Sequence, residues 1–106
     1  MNMLQLPTTA NFQVRDYYIN KVCGLLNNGT TPADVMSSSR LRRHTIARHL
    51  VSWALYELEH LSLSTIARIM AIDHASIIYA VNKINGIKSF PAANPELCKI
   101  TENLTM

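Results

Sequence analysis

At 106 residues the chain is long enough for one modest core and too short for several. Hydrophobic residues make up 48% and charged residues only 16%, a sparse charged surface that leaves exposed apolar area for a partner. No apolar run reaches the length of a membrane span, and MNMLQLPTT lacks the basic start and apolar core of a secretory signal. A cytoplasmic protein with no membrane association is therefore expected. Cys23 and Cys98 each fall within an apolar helical pattern and read as reduced core thiols, with a disulfide as the alternative.

In chain order, residues 1–10 read as a loose tail ending in Pro7-Thr8-Thr9, and residues 11–106 as a single helical domain. From Asn11 to Asn27, Val14, Tyr18, Val22, Leu25 and Leu26 keep a helical period. Asn28-Gly29 stops that helix, because both residues tolerate the left-handed conformation. Thr31-Pro32 is a cap followed by proline at the first helical position, and it opens a short helix to Met36. Ser37-Ser38-Ser39 breaks the chain. The longest helix is expected from His44 to His60, with Ile46, Leu50, Trp53, Ala54, Leu58 and Leu61 on one face. Arg48, Ser52 and Glu59 fall away from that stripe, and Trp53 reads as a core anchor.

Charge is placed along this stretch and not merely spread. Arg40, Arg42, Arg43 and Arg48, with His44 and His49 among them, lie in a window without Asp or Glu between Asp34 and Glu57. Four arginines on a chain of net charge +3 leave the remainder slightly acidic. Such a cluster is a footprint for phosphate, with a solvated basic surface as the bland alternative.

Residues 62–88 follow as a short helix, a tight turn and a longer helix. Ser62 or Ser64 caps the first helix, and Ile66, Ile69 and Met70 form its apolar face. Asp73 is suited to cap the second. Ile77, Ala80, Val81 and Ile84 recur at i, i+3, i+4, i+7 and belong in the core. The opposite face carries Ser76, Tyr79 and Lys83, with His74 and Ala75 in the exposed first turn. Small, hydrogen-bonding and basic side chains opposite a buried stripe suit a helix in a DNA major groove. A final short helix starts at Asn94-Pro95-Glu96 and turns Leu97, Ile100 and Leu104 inward. The fold class is all-α, with five or six helices.

Catalysis, metals and cofactors are not expected. His44 and His49 are five apart, which does not align them on one helix face, and the two cysteines do not share a ligand spacing. The glycines at 24, 29 and 86 are scattered and form no phosphate loop. The histidines read as polar surface, or for His74 as a DNA contact.

The segment IARHLVSWALYELEHLSLSTIARIMAIDHASIIYAVNKI, preceded by R-x-R-R, resembles the C-terminal DNA-binding domain of DnaA, the bacterial chromosomal replication initiator. The resemblance rests on Ala47-Arg48-His49, Ser62-Leu63-Ser64-Thr65-Ile66-Ala67 and Asp73-His74-Ala75-Ser76-Ile77, in the family's order. It runs over roughly residues 12–88, and Ala33-Asp34-Val35-Met36 resembles the short helix before the family's basic loop. It implies that Arg40 enters the minor groove and that Asp73, His74, Ala75 and Ser76 read base edges. It further implies backbone contacts from Arg48, Leu63, Ser64, Tyr79 and Lys83, with Arg42 and Arg43 beside them. His49, which stands where the family has another polar partner, is implied as a further backbone contact. Two departures stand out. Ala71-Ile72 replaces the Gly-Gly-Arg that usually precedes Asp-His, and Ala75 replaces a hydroxyl residue.

The resemblance implies binding of double-stranded DNA at A·T-rich, initiator-box-like sites, in regulation of replication or transcription. The family's nucleotide-binding ATPase module is not expected in so short a chain, which fits either a small protein of a bacterium, phage or mobile element or a domain cut from a longer gene. The alternative function is a protein-interaction module that keeps the fold and uses its apolar surface against a partner, such as the initiator or a second copy.

Overall fold

The computed structural model describes residues 6–106, and the expected tail falls partly outside them, at residues 1–5. Six α-helices make up the fold: α1 (Thr9–Leu26), α2 (Pro32–Met36), α3 (Arg42–Glu57), α4 (Leu63–Met70), α5 (His74–Ser89) and α6 (Pro95–Leu104). No strand occurs among the described residues.

Helix starts follow from local side-chain chemistry. Thr8 accepts the Asn11 N–H at 3.2 Å while its own N–H donates to Asn11 Oδ1 at 2.9 Å. This reciprocal box begins α1 at Thr9, two residues ahead of the expected Asn11. Asn27, at φ 47°, takes the left-handed position that ends α1, one residue before the expected Asn28-Gly29. Thr31 and Asp34 form a second box, with Pro32 opening α2 as its fixed φ allows. Hydrogen bonding from the Thr31 backbone N–H first, then the Thr31 hydroxyl and the charges of His44 and Arg43 nearby, hold the Asp34 carboxyl below its usual range.

Helix α3 runs through the middle and touches α1, α2, α4 and α5. Its Ala47, Leu50, Val51, Trp53, Ala54 and Leu55 are essentially inaccessible. Two expectations fail here for the same reason. Ser52 is fully buried, and His44 is buried too, with Nδ1 2.8 Å from Ser39 Oγ and Nε2 3.3 Å from the Asp34 carboxylate. A helix touched by four neighbours buries more of its circumference than one apolar stripe marks. Nor is α3 the longest helix: it has 16 residues against 18 in α1.

Trp53 is a core anchor with a polar tip. Its indole N–H donates to Asn85 Oδ1 at 2.9 Å, and Asn85 Nδ2 donates to Glu57 at 3.0 Å. The Lys88 ammonium sits 4.7 Å from the centre of the Trp53 ring. This chain of contacts joins α5 to α3. Elsewhere, the Tyr18 hydroxyl donates to Glu59 at 2.7 Å, and burial together with that carboxylate pushes the phenol pKa up. Arg15 donates to the Ile69 carbonyl at 2.8 Å, placing a cation at the C-terminal end of α4. Both cysteines are free, and the Cys98 thiol donates to the Ile87 carbonyl at 3.2 Å. Among the described residues no helix is long and apolar enough to cross a membrane.

Candidate nucleic-acid interface

Helices α4 and α5 meet through a turn at Ala71–Asp73. Ser62, and not Ser64, caps α4 by accepting the Thr65 N–H at 3.1 Å. Ile66, Ile69 and Met70 are buried, as are Ile77, Ala80, Val81 and Ile84 on α5. Ala71 ends α4 in the left-handed region at φ 58°, a conformation that disfavours any residue with a Cβ. The chain thus makes the turn with an alanine and no glycine.

Asp73 then caps α5, accepting the Ser76 N–H at 2.7 Å. The bonds from Ser76 hold the Asp73 carboxyl below its usual range. Capping leaves His74, Ala75 and Ser76 as exposed side chains on an ordered first turn. The His74 Nε2 lies 3.2 Å from Ser64 Oγ, which ties the starts of α4 and α5 together.

Facing this turn is the loop before α3. Arg48 reaches back from α3 and donates through Nε to the Val35 carbonyl at 2.8 Å and through Nη2 to the Ser37 carbonyl at 2.8 Å. Longer contacts of 3.3 Å run from Nη2 to the Asp34 and Ser39 carbonyls. The guanidinium therefore closes the carbonyl end of α2 and holds the serine loop in place. Its Nη1 makes no hydrogen bond among the described residues. Ser39 Oγ in turn accepts the Leu41 N–H at 3.2 Å, and the Leu41 carbonyl accepts from Thr45 Oγ1 at 3.1 Å.

Loop and turn enclose an open cleft of about 640 Å³. Arg40, Arg48 and His49 line one side, and Asp73, Ala75, Ser76 and Tyr79 the other. Residues 33 positions apart, Arg40 and Asp73, thus share one surface. His49 packs edge-on against Tyr79, ring centres 5.5 Å apart. Burial first, then the charges of Lys83 and Arg48, depress the His49 pKa to about 4, so its ring is neutral at physiological pH. Its Nδ1 is buried with no hydrogen-bond partner among the described residues. Lys83 holds its ammonium 5.7 Å from the Tyr79 ring centre, beside the cleft.

Not every expected contact gathers here. Leu63 and Ser64 sit on the first turn of α4, joined to the cleft's edge through His74. Arg42 and Arg43 line a different groove, between α1, α3 and α6. Along a helix each residue turns about 100°, so Arg42, Arg43 and Ile46 face roughly a third of a turn away from Thr45, Arg48 and His49. Ser39 and Thr45 line the cleft although the sequence marks them only as a breaker and a helix residue. Their hydroxyls organise the loop backbone, for which a run of serines is the only sequence signal.

A short capped helix, a tight turn and a second helix with an exposed polar first turn define a helix-turn-helix protein. The family model of the bacterial DnaA protein helix-turn-helix matches residues 19–84, and the chain belongs to that family. No curated protein and no solved structure matches it. Membership implies double-stranded DNA as the partner.

Proposed function

We propose that the chain binds double-stranded DNA with sequence preference, acting by occupancy and not by catalysis. In this reading Asp73, His74, Ala75 and Ser76 meet base edges in the major groove while Arg40 enters the adjacent minor groove. The observation that carries it is the cleft, which sets Arg40 beside the first turn of α5. Ala75 offers a methyl group to thymine, and Ser76 a hydroxyl to an exposed base edge. Phosphates on either side fall to Arg48 through its free Nη1, to Lys83, to the Tyr79 hydroxyl, to Ser64 and to the backbone of Leu63. Neutral His49 adds a ring nitrogen at the cleft floor, and Arg42 and Arg43 add positive potential to the flank of the loop.

Initiator-box-like, A·T-rich sites are the proposed targets, and control of replication or transcription in the cytoplasm the proposed role. Fluorescence anisotropy against an initiator-box duplex and a random duplex at several salt concentrations tests this directly. With about four phosphates neutralised, log affinity should fall against log salt with a slope of about −3.6. The box should bind at least about tenfold tighter than the random duplex. A slope near zero, or equal affinity for both duplexes, contradicts the proposal.

A further inference from the structure

The groove lined by Arg42 and Arg43 is distinct from the DNA cleft and has the opposite character. It holds about 730 Å³ between the end of α1, the start of α3 and α6. Its floor is aliphatic: Leu25, Leu26, Ile46 and Leu97 are half-buried there, packed against the core from outside. Arg42, Arg43 and Lys99 stand exposed along the rim, and Glu96 is the one acidic residue lining it. None of the three cations has a carboxylate within 4.0 Å among the described residues. An apolar floor gains nothing from a phosphate backbone, whereas unpaired cations beside it favour an anionic partner with apolar side chains.

A second copy of the chain supplies that chemistry poorly. Of its seven acidic residues, Asp16 pairs with Arg15, Glu59 accepts from Tyr18, Glu57 accepts from Asn85, and Asp34 and Asp73 cap helices. The remaining two, Glu96 and Glu102, lie on α6, which forms the groove wall itself. We propose that this groove docks an acidic amphipathic helix of another protein. Two large apolar side chains one turn apart would fill the floor formed by Leu26, Ile46 and Leu97, and flanking carboxylates would meet Arg42, Arg43 and Lys99. This proposal uses a different face of α3 from the DNA cleft and shares with the DNA reading only the long-range potential of Arg42 and Arg43.

The test uses the full chain and a fluorescein-labelled helical peptide of about 16 residues, with leucines at i and i+4 between glutamates. One control replaces the leucines by serine, and another replaces the glutamates by lysine. The acidic peptide should bind saturably, and each control should bind at least about tenfold more weakly. The combined reversal Arg42→Glu, Arg43→Glu and Lys99→Glu should weaken the acidic peptide by at least about tenfold and let the lysine peptide bind. An excess of initiator-box duplex should leave the acidic peptide bound. The proposal is overturned by absence of saturable binding, by equal affinity for the acidic and lysine peptides, or by displacement with duplex. Sedimentation velocity that shows a dimer dissolved by Leu97→Gln would overturn it in favour of self-association. The peptide controls decide the matter even where a protein variant loses its helical circular-dichroism signal.

Discussion

Two helix starts face each other across the cleft, and they are prepared in opposite ways. At α5 a side chain, Asp73, satisfies the first-turn amide of Ser76, and His74, Ala75 and Ser76 are left free to meet a ligand. At α3 no side chain caps the helix, and Leu41 occupies the cap position. There the ordering comes from behind, through Arg48 bonded to the carbonyls of Val35 and Ser37. One side of the cleft is built from helix, the other from a loop pinned by a charge. Positive charge near DNA therefore divides into a part that holds the protein's own backbone and a part free to reach nucleic acid.

The sharpest way to break this contrast is Arg48→Ala. Two short charge-assisted bonds vanish and the carbonyls of the α2 end lose their donor, so stability should fall by about 2–3 kcal/mol in urea unfolding. Arg48→Lys should recover less than half, because an ammonium cannot span both carbonyls as a planar fork does. A midpoint unchanged in either variant would mean that the loop is held by something else. Arg40→Ala should behave differently, since Arg40 is exposed and its loss leaves the fold intact. Its effect should appear only in DNA affinity, about tenfold at A·T-rich sites and less at G·C-rich ones, because the narrower minor groove attracts arginine more strongly. Equal loss at both kinds of site would move Arg40 from groove to phosphate.

On the α5 side the turn carries strain that substitution can relieve. Ala71→Gly should raise stability by about 0.5–1 kcal/mol, since glycine takes the left-handed conformation at no steric cost. A loss of stability would show that the alanine methyl contributes packing worth more than the strain.

The last effect concerns pH. His49 keeps a folded pKa of about 4 against an ordinary value of 6.5. Between those values the unfolded chain binds a proton that the folded chain refuses. Its contribution to stability is complete above 6.5 and declines as pH falls from 6.5 towards 4. In His49→Gln the loss of melting temperature between pH 7.5 and pH 5.5 should therefore be smaller than in the wild type. An identical pH profile would remove His49 from the buried floor of the cleft.

Much of this was legible in the sequence where structure is governed locally. Thr31-Pro32, Asp73 and the i, i+3, i+4, i+7 stripe of α5 each act within one or two turns, and each appears where the pattern puts it. The approach of the Arg-rich loop to α5 followed from family resemblance and not from spacing. What escaped was set by neighbours far along the chain. Ser52 and His44 are buried because four helices surround α3. The task of Arg48 was invisible because its acceptors are carbonyls, which every residue carries. The divergence of Arg42 and Arg43 from Arg40 depends on where α3 begins, and no cap in the sequence marks Arg42 as its first residue.

The most direct test of the cleft is a titration of the isotope-labelled protein with an initiator-box duplex, followed amide by amide in nuclear magnetic resonance. The largest shifts should fall at Ser39, Arg40 and Leu41 and at Asp73, His74, Ala75 and Ser76, with Leu25, Leu26 and Leu97 unmoved. Shifts concentrated at Leu25, Leu26, Leu97 and Lys99, with residues 73–76 silent, would contradict the assignment of the cleft as the DNA-binding face.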